Sequence, residues 1–327
     1  MIVRNIGKIS ETVLDRSVIK PQKQYKVYDK GASTQLDCAF FSDKGMATGY
    51  VAHKDERACE HAILQACNNL YASGVIPRTL SISISMPDSY REIRLKEIMR
   101  QACETAKALD VTISGGHTEF VKSLDQPLIS VTALGDPDET YQSQYKNGFD
   151  PDSCDIVMTK WMALLGTSLI ATEKRDELIT RLPSYYVDDA AGLGAFLSIE
   201  KEAKEAMHKE DTVAMHDVAG GGLFGALWEL CSHLKCGCRI NLKDIPIRQE
   251  TIEVSEFFDI NPYRLRGDGS LLIVTKDGVS LAERLIENGV LATVIGQTSK
   301  CIDRVILRDE EVRYLESPDT DEIHRVL

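Results

Sequence analysis

Two rhythms of apolar and polar residues alternate along this chain. TLSISISMP (79–87) changes character at every position, as a half-buried strand does. Between Glu56 and Tyr71 the apolar positions are Ala58, Ala62, Ile63, Ala66, Cys67 and Leu70, the spacing of one helical face. Gly74 and Pro77 follow, as they do past a helix end. A second helical pattern runs from Tyr90 to Leu109, with Ile93, Ile98, Met99, Ala102 and Ala106 on one side. QLDCAFFSDKG (35–45) and GMATGYVAH (45–53) read as two short strands joined by a turn at Asp43–Gly45. VTISGG (111–116) reads as a short strand running into glycines, and PLISVTALGD (127–136) as another strand.

Residues 137–154 are polar, rich in turn formers and without period, and read as a linker. Beyond them the alternation resumes. Strands are expected over 154–160, 211–219, 270–275, 290–298, 301–309 and 312–316. Helices are expected over 164–171, 173–182, 190–208, 223–234, 251–260 and 278–288. The pattern predicts an α/β or α+β protein of two domains, 1–150 and 151–327, and the length of 327 residues accommodates both.

Composition narrows the class. A 43% hydrophobic content supplies a sizeable core. The net charge of -12 argues against a general nucleic-acid binder, which needs a basic face. No apolar run approaches the ~18 residues of a membrane span, and the N-terminus lacks the apolar core of a secretion signal. Nine cysteines without such a signal read as reduced thiols, so a cytoplasmic location is expected.

Four places invite chemistry. MHDVAGGGLFGALWEL (215–230) sets Asp217 and three glycines, Gly220, Gly221 and Gly222, directly before a helix. Unpaired N–H groups and the positive dipole end at a helix start suit an anion; a tight packing turn would use the same residues. The segment matches neither of the familiar glycine fingerprints for dinucleotides or triphosphates. SGGHTE (114–119) places Gly115 and Gly116 before His117, Thr118 and Glu119, which would otherwise be an ordinary solvated loop. NPYRLRGDGSLLIV (261–274) offers Arg264 and Arg266 to a phosphate, or merely to solvent. Cys231, His233, Cys236 and Cys238 could hold zinc, although Cys231 also belongs on an apolar helix face.

Taken in order, GKI (7–9), LDCA (36–39), NNLYASGVIPRTLSISI (68–84), SGGHTE, VTALGD (131–136), CDIVMTKWMALLGTSLIA (154–171), MHDVAGGGLFGALWEL and NPYRLRGDGSLLIV resemble the aminoimidazole ribonucleotide (AIR) synthetase superfamily. The nearest likeness is to its hydrogenase-maturation, HypE-like branch. The resemblance implies a PurM-like fold: an N-terminal domain that completes a β-barrel with a second subunit, and a C-terminal α/β domain carrying the glycine triplet. It implies ATP as co-substrate and phosphorylation of an amide, carbonyl or acid oxygen on a small molecule or protein amide. It also implies a cytoplasmic homodimer.

Residue by residue, the resemblance places Asp37, Asn69 and His117 at metal positions and Asp217, His117 and Glu119 in catalysis. Gly115, Gly116, Thr118, Asn68, Gly220, Gly221 and Gly222 fall at nucleotide or phosphate positions. The departures from the family pattern lie here. An Asn-Asp pair reads Asn68–Asn69, an acid is replaced by His117, and GYVAH (49–53) lacks a further aspartate. Magnesium prefers oxygen ligands, so a weakened magnesium site follows, and imidazole shifts the preference toward manganese. The chain also ends in DEIHRVL, without the terminal cysteine of the hydrogenase-maturation members. An ATP-dependent enzyme with an altered metal site is therefore expected. The alternative is a non-catalytic dimeric module that binds nucleotide or another ligand, with a zinc hydrolase built on His117 further off.

Overall fold

The structure, a computed structural model, describes residues 6–25, 38–145, 147, 149–318 and 320–327. It divides into two compact units, 30–139 and 1–29 with 140–327. The N-terminal residues, which show no clear period in sequence, begin the larger unit as α1 (Glu11–Leu14), a π-helical turn (Asp15–Ile19) and α2 (Lys20–Gln24).

The smaller unit holds β1 (Cys38–Phe41), β2 (Lys44–Ala52), α3 (Ala58–Ala72), β3 (Val75–Pro87), α4 (Glu92–Ala108), β4 (Thr112–Val121) and β5 (Leu128–Pro137). Its sheet runs β1-β2-β5-β3-β4. All neighbours are antiparallel except β3 and β4, which are parallel and joined by α4, the crossover that parallel strands require. Helix α3 buries its apolar face on β2 and β5, and α4 packs on α3. Gly49 makes that contact: a Cβ there would stand 2.0 Å from the Ala62 carbonyl oxygen of α3. The opposite face of β2 leaves Met46 and Tyr50 exposed. Among the described residues the sheet is open, with β1 and β4 as its edges, and closes no barrel.

The larger unit continues with α5 (Glu139–Gln144), β6 (Asp155–Thr159), α6 (Leu164–Glu173), α7 (Arg175–Leu178), α8 (Ser184–Gly192), a 3-10 turn (Leu193–Phe196) and α9 (Glu200–Met207). Then come β7 (Thr212–Val218), α10 (Gly222–Leu234), β8 (Gly237–Asn241), α11 (Gln249–Phe257), β9 (Ser270–Thr275), α12 (Gly278–Glu287), β10 (Ala292–Ser299), β11 (Arg304–Arg308) and β12 (Glu311–Tyr314). A seven-stranded sheet runs β12-β11-β8-β10-β6-β9-β7. Strands β6, β7 and β9 are buried over nearly their whole length, and β7 buries His216 and Asp217 together with its apolar residues.

Four expectations change. The stretch 137–154 contains a helix, α5, anchored by the fully buried Tyr141. The single helix expected over 190–208 is broken by a 3-10 turn between α8 and α9, where Gly192 and Gly194 interrupt the helix-forming run. Residues 237–241, read only as part of a cysteine cluster, form β8. Finally, β4 does not stop at its glycines but runs on to Val121.

Candidate functional site

In the smaller unit, SGGHTE lies inside β4 rather than in a loop. Nine residue pairs tie β4 to β3, and the register slips by one between Leu80 and Ser81, opposite the serine–glycine stretch. Gly116 sits so close to β3 that a Cβ would be 1.9 Å from the Ile82 carbonyl oxygen. Its glycine therefore lets two strands approach. Gly115 has nothing within 4 Å of its absent side chain.

His117 and Glu119 stand two apart on β4 and thus share a face. Their Nε2 and Oε2 atoms are 3.7 Å apart, with side chains 71% and 52% exposed. The Ser85 hydroxyl of β3 donates to Glu119 at 3.4 Å. Thr118 is exposed too. Asn68 and Asn69, by contrast, are buried in the last turn of α3. Asp37 lies outside the described residues.

In the larger unit, β7 delivers His216 and Asp217 to the sheet's end, both buried. His216 Nδ1 meets the Asp217 carbonyl at 2.7 Å, and its Nε2 lies 3.6 Å from Glu229 on α10. Lys8, from the GKI segment, donates to the other Glu229 oxygen at 2.7 Å. The chain then turns through Gly220 and Gly221 into α10. Gly221 and Gly222 have φ of +83° and +65°, backbone that glycine adopts without strain. A Cβ on Gly222 would also lie 2.6 Å from the Leu265 carbonyl oxygen.

The Gly221 amide already holds an anion. It donates to Asp321 Oδ2 at 2.7 Å, while Oδ1 accepts from the Arg266 amide at 3.2 Å and the Ile323 amide at 3.0 Å. Burial pushes the Asp321 carboxyl above its ordinary range, against the pull of these amides and of the Arg266 charge. The Arg266 guanidinium itself is gripped by Asp268 through two hydrogen bonds, at 2.9 and 3.1 Å. Arg264 pairs with Glu316 at 2.7 Å. Both arginines expected to await a phosphate thus have carboxylate partners.

The zinc reading of 231–238 is overturned among the described residues. Cys231, Cys236 and Cys238 are buried at the junction of α10 and β8, and the Cys236 thiol is pushed well up by its hydrogen bond with Cys231 and by burial. Such thiols resist becoming the thiolates that bind zinc. His233 instead bonds and stacks with Tyr145. More generally, no three His, Cys, Asp or Glu side chains among the described residues are placed to hold a metal ion. His117 and Glu119 supply one imidazole and one carboxylate, and that pair alone does not fit magnesium, which wants several oxygens.

Sequence reasoning passed over Lys8, His216, Glu229 and Asp321. The first three lay in segments that carried the family resemblance, so a signal was present. Glu229 falls seven residues after Gly222, two turns along the same helix.

Comparisons with known proteins agree with this architecture. The family described as AIR synthase related protein matches twice, its N-terminal domain over residues 29–136 and its C-terminal domain over 156–306. A putative hydrogenase expression/formation protein of Methanocaldococcus jannaschii is 25% identical over 274 residues, covering 81% of this chain and 77% of that protein. Carbamoyl dehydratase HypE of Escherichia coli is 22% identical over 253 residues, covering 76% and 70%. Among solved structures, the HypE–HypF complex aligns with a TM-score of 0.76 at 18% identity, over 92% of this chain and all 100% of that one. HypE in complex with ATP aligns at 0.71 and 16% identity, over 99% and 98%. At such identities the structural likeness speaks for the fold alone. Both domain matches, in order and spanning most of the sequence, make this chain a member of the AIR synthase related family.

Proposed function

We propose that this protein is an ATP-dependent enzyme that phosphorylates an amide, carbonyl or acid oxygen, on a small molecule or a protein amide. Phosphorylation turns a poor leaving oxygen into a good one, and positioning with charge neutralisation supplies most of the catalysis. One observation carries the reading: the Gly221 and Arg266 amides grip one carboxylate, each donating to a different oxygen of Asp321. A phosphoryl oxygen has the same acceptor chemistry and would take Asp321's place. The names of the relatives support the reaction class, since HypE has been solved with ATP.

In the smaller unit, His117 and Glu119 would handle protons. Asn68, Gly115, Gly116 and Thr118 would line the nucleotide, with Asp37, Asn69 and His117 on the metal side. In the larger unit, Asp217 would orient the substrate and Gly220–Gly222 would contact phosphate. No step is assigned to a metal ion, because the donors described do not fit magnesium. A homodimer is part of this proposal: a second copy would cover the face of the 38–137 sheet on which Met46 and Tyr50 are exposed.

Isothermal titration with ATP, in magnesium and separately in manganese, tests the reading. Binding with at least one metal and ATP turnover that falls by about a hundredfold or more in Asp217→Asn are expected. No heat at millimolar nucleotide with either metal overturns it. That result would favour the second reading, a non-catalytic ligand-binding dimer, which the missing metal cluster among the described residues supports.

A further inference from the structure

The larger unit carries a cavity of about 640 Å³ under the β11–β12 hairpin, whose lining includes neither Asp217 nor Gly220–Gly222, although its wall starts two residues past Gly222. Its volume is that of a small-molecule site. Two features give it a chemistry. One wall is a pair of aromatic rings, Phe224 from the first turn of α10 and Tyr263 from the 261–264 turn. They lie nearly parallel, 5.0 Å between centroids and 13° between planes. Tyr314, well exposed on β12, adds a third ring to the lining.

Charge is the second feature. Four cationic side chains, Lys243, Arg264, Arg308 and Arg313, line the cavity against two carboxylates, Asp309 and Glu316. In a chain of net charge -12 this is a local reversal of sign. Three of the cations are held: Lys243 by Asp309, Arg264 by Glu316 and Arg313 by Glu311 at 2.8 Å. Among the described residues Arg308 has no carboxylate partner. Its charge is felt at the Tyr263 hydroxyl, whose pKa burial raises and Arg308 draws back.

A free guanidinium beside flat aromatic faces suits a ligand that is both planar and anionic. Arginine grips phosphate or carboxylate with two N–H groups, and the rings accept a stacked base. We propose that this cavity is a second ligand site, distinct from the proposed catalytic residues, for a small phosphorylated aromatic of nucleoside-monophosphate size.

The test uses the full chain and three probes: AMP, adenosine and inorganic phosphate. AMP should bind at least tenfold more tightly than either of the others. Arg308 is exposed, so Arg308→Glu should fold normally and weaken AMP at least tenfold. Asp217→Asn should leave AMP binding unchanged, which separates this site from the proposed catalytic one. Photolabelling with 8-azido-AMP, mapped by mass spectrometry, should mark the peptides holding Tyr263 or Tyr314. The proposal is overturned if millimolar AMP does not bind, or if phosphate alone binds as tightly. It also falls if Arg308→Glu binds AMP as the parent does, or if the label lies only on other peptides.

Discussion

Asp321 shows how much one side chain settles. It caps the glycine turn before α10 from a hundred residues away, and it is partly buried there with its carboxyl raised in pKa. The sign of the resulting pH dependence follows. Between the ordinary value and the raised folded value, the folded chain holds a proton that the unfolded chain has released. Asp321 therefore adds stability as pH falls through that window, and the contribution is lost as pH rises through the folded pKa. Denaturant midpoints taken from pH 4 to 7 should show this slope in the parent and lack it in Asp321→Asn; parallel profiles would refute it. Gly222→Ala should be costlier. Left-handed backbone penalises a Cβ by about 1–2 kcal/mol, and overpacking against Leu265 adds about 1–3 kcal/mol. A thermal midpoint within a degree of the parent's would contradict that. The glycine triplet was visible in sequence as a turn or a cradle. Its occupant was not, since nothing local to an aspartate in a polar tail points to a glycine so far back.

At the scale of elements, local pattern served where an element buries one face and failed where partners decide. Helix α3 and strand β3 were legible because their apolar periods are their packing faces, and α4 in part: Ile98, Ala102 and Ala106 pack inward, but Ile93, placed on the same side by its spacing, is exposed. Strand β4 was cut short, because glycines argue for a turn when no partner is in view. Pairing with β3 then overrides that local preference. The same blindness hid β8 inside a cysteine cluster. Gly116→Val tests how far pairing holds β4 in place. Its side chain would collide with the Ile82 backbone, so the β3–β4 edge should loosen and amide exchange there should rise at least tenfold. Unchanged protection would mean that the close approach is not needed. Gly49→Ala should act through α3 instead and lower stability by about 1–3 kcal/mol in urea unfolding.

For the whole molecule, the mixed α/β character and the family were readable because eight short segments fall in one order. The candidate site was less so. Asn68 and Asn69 face inward, whereas His117 and Glu119 face water, a difference that no motif encodes. The open sheet of the smaller unit leads to a further expectation. If a second copy covers Met46 and Tyr50, Tyr50→Lys together with Met46→Glu should halve the mass seen by sedimentation equilibrium. A parent chain that already sediments as a monomer would end the dimer proposal.

Lys8 reaches Glu229 across 221 positions of chain. During synthesis, residues 38–137 leave the ribosome long before that glutamate exists, so their sheet can form first. The leading segment must wait, undocked, until α10 has emerged. A nascent chain halted before residue 229 should therefore be clipped readily near Lys8 and resist cleavage within β2 and β3.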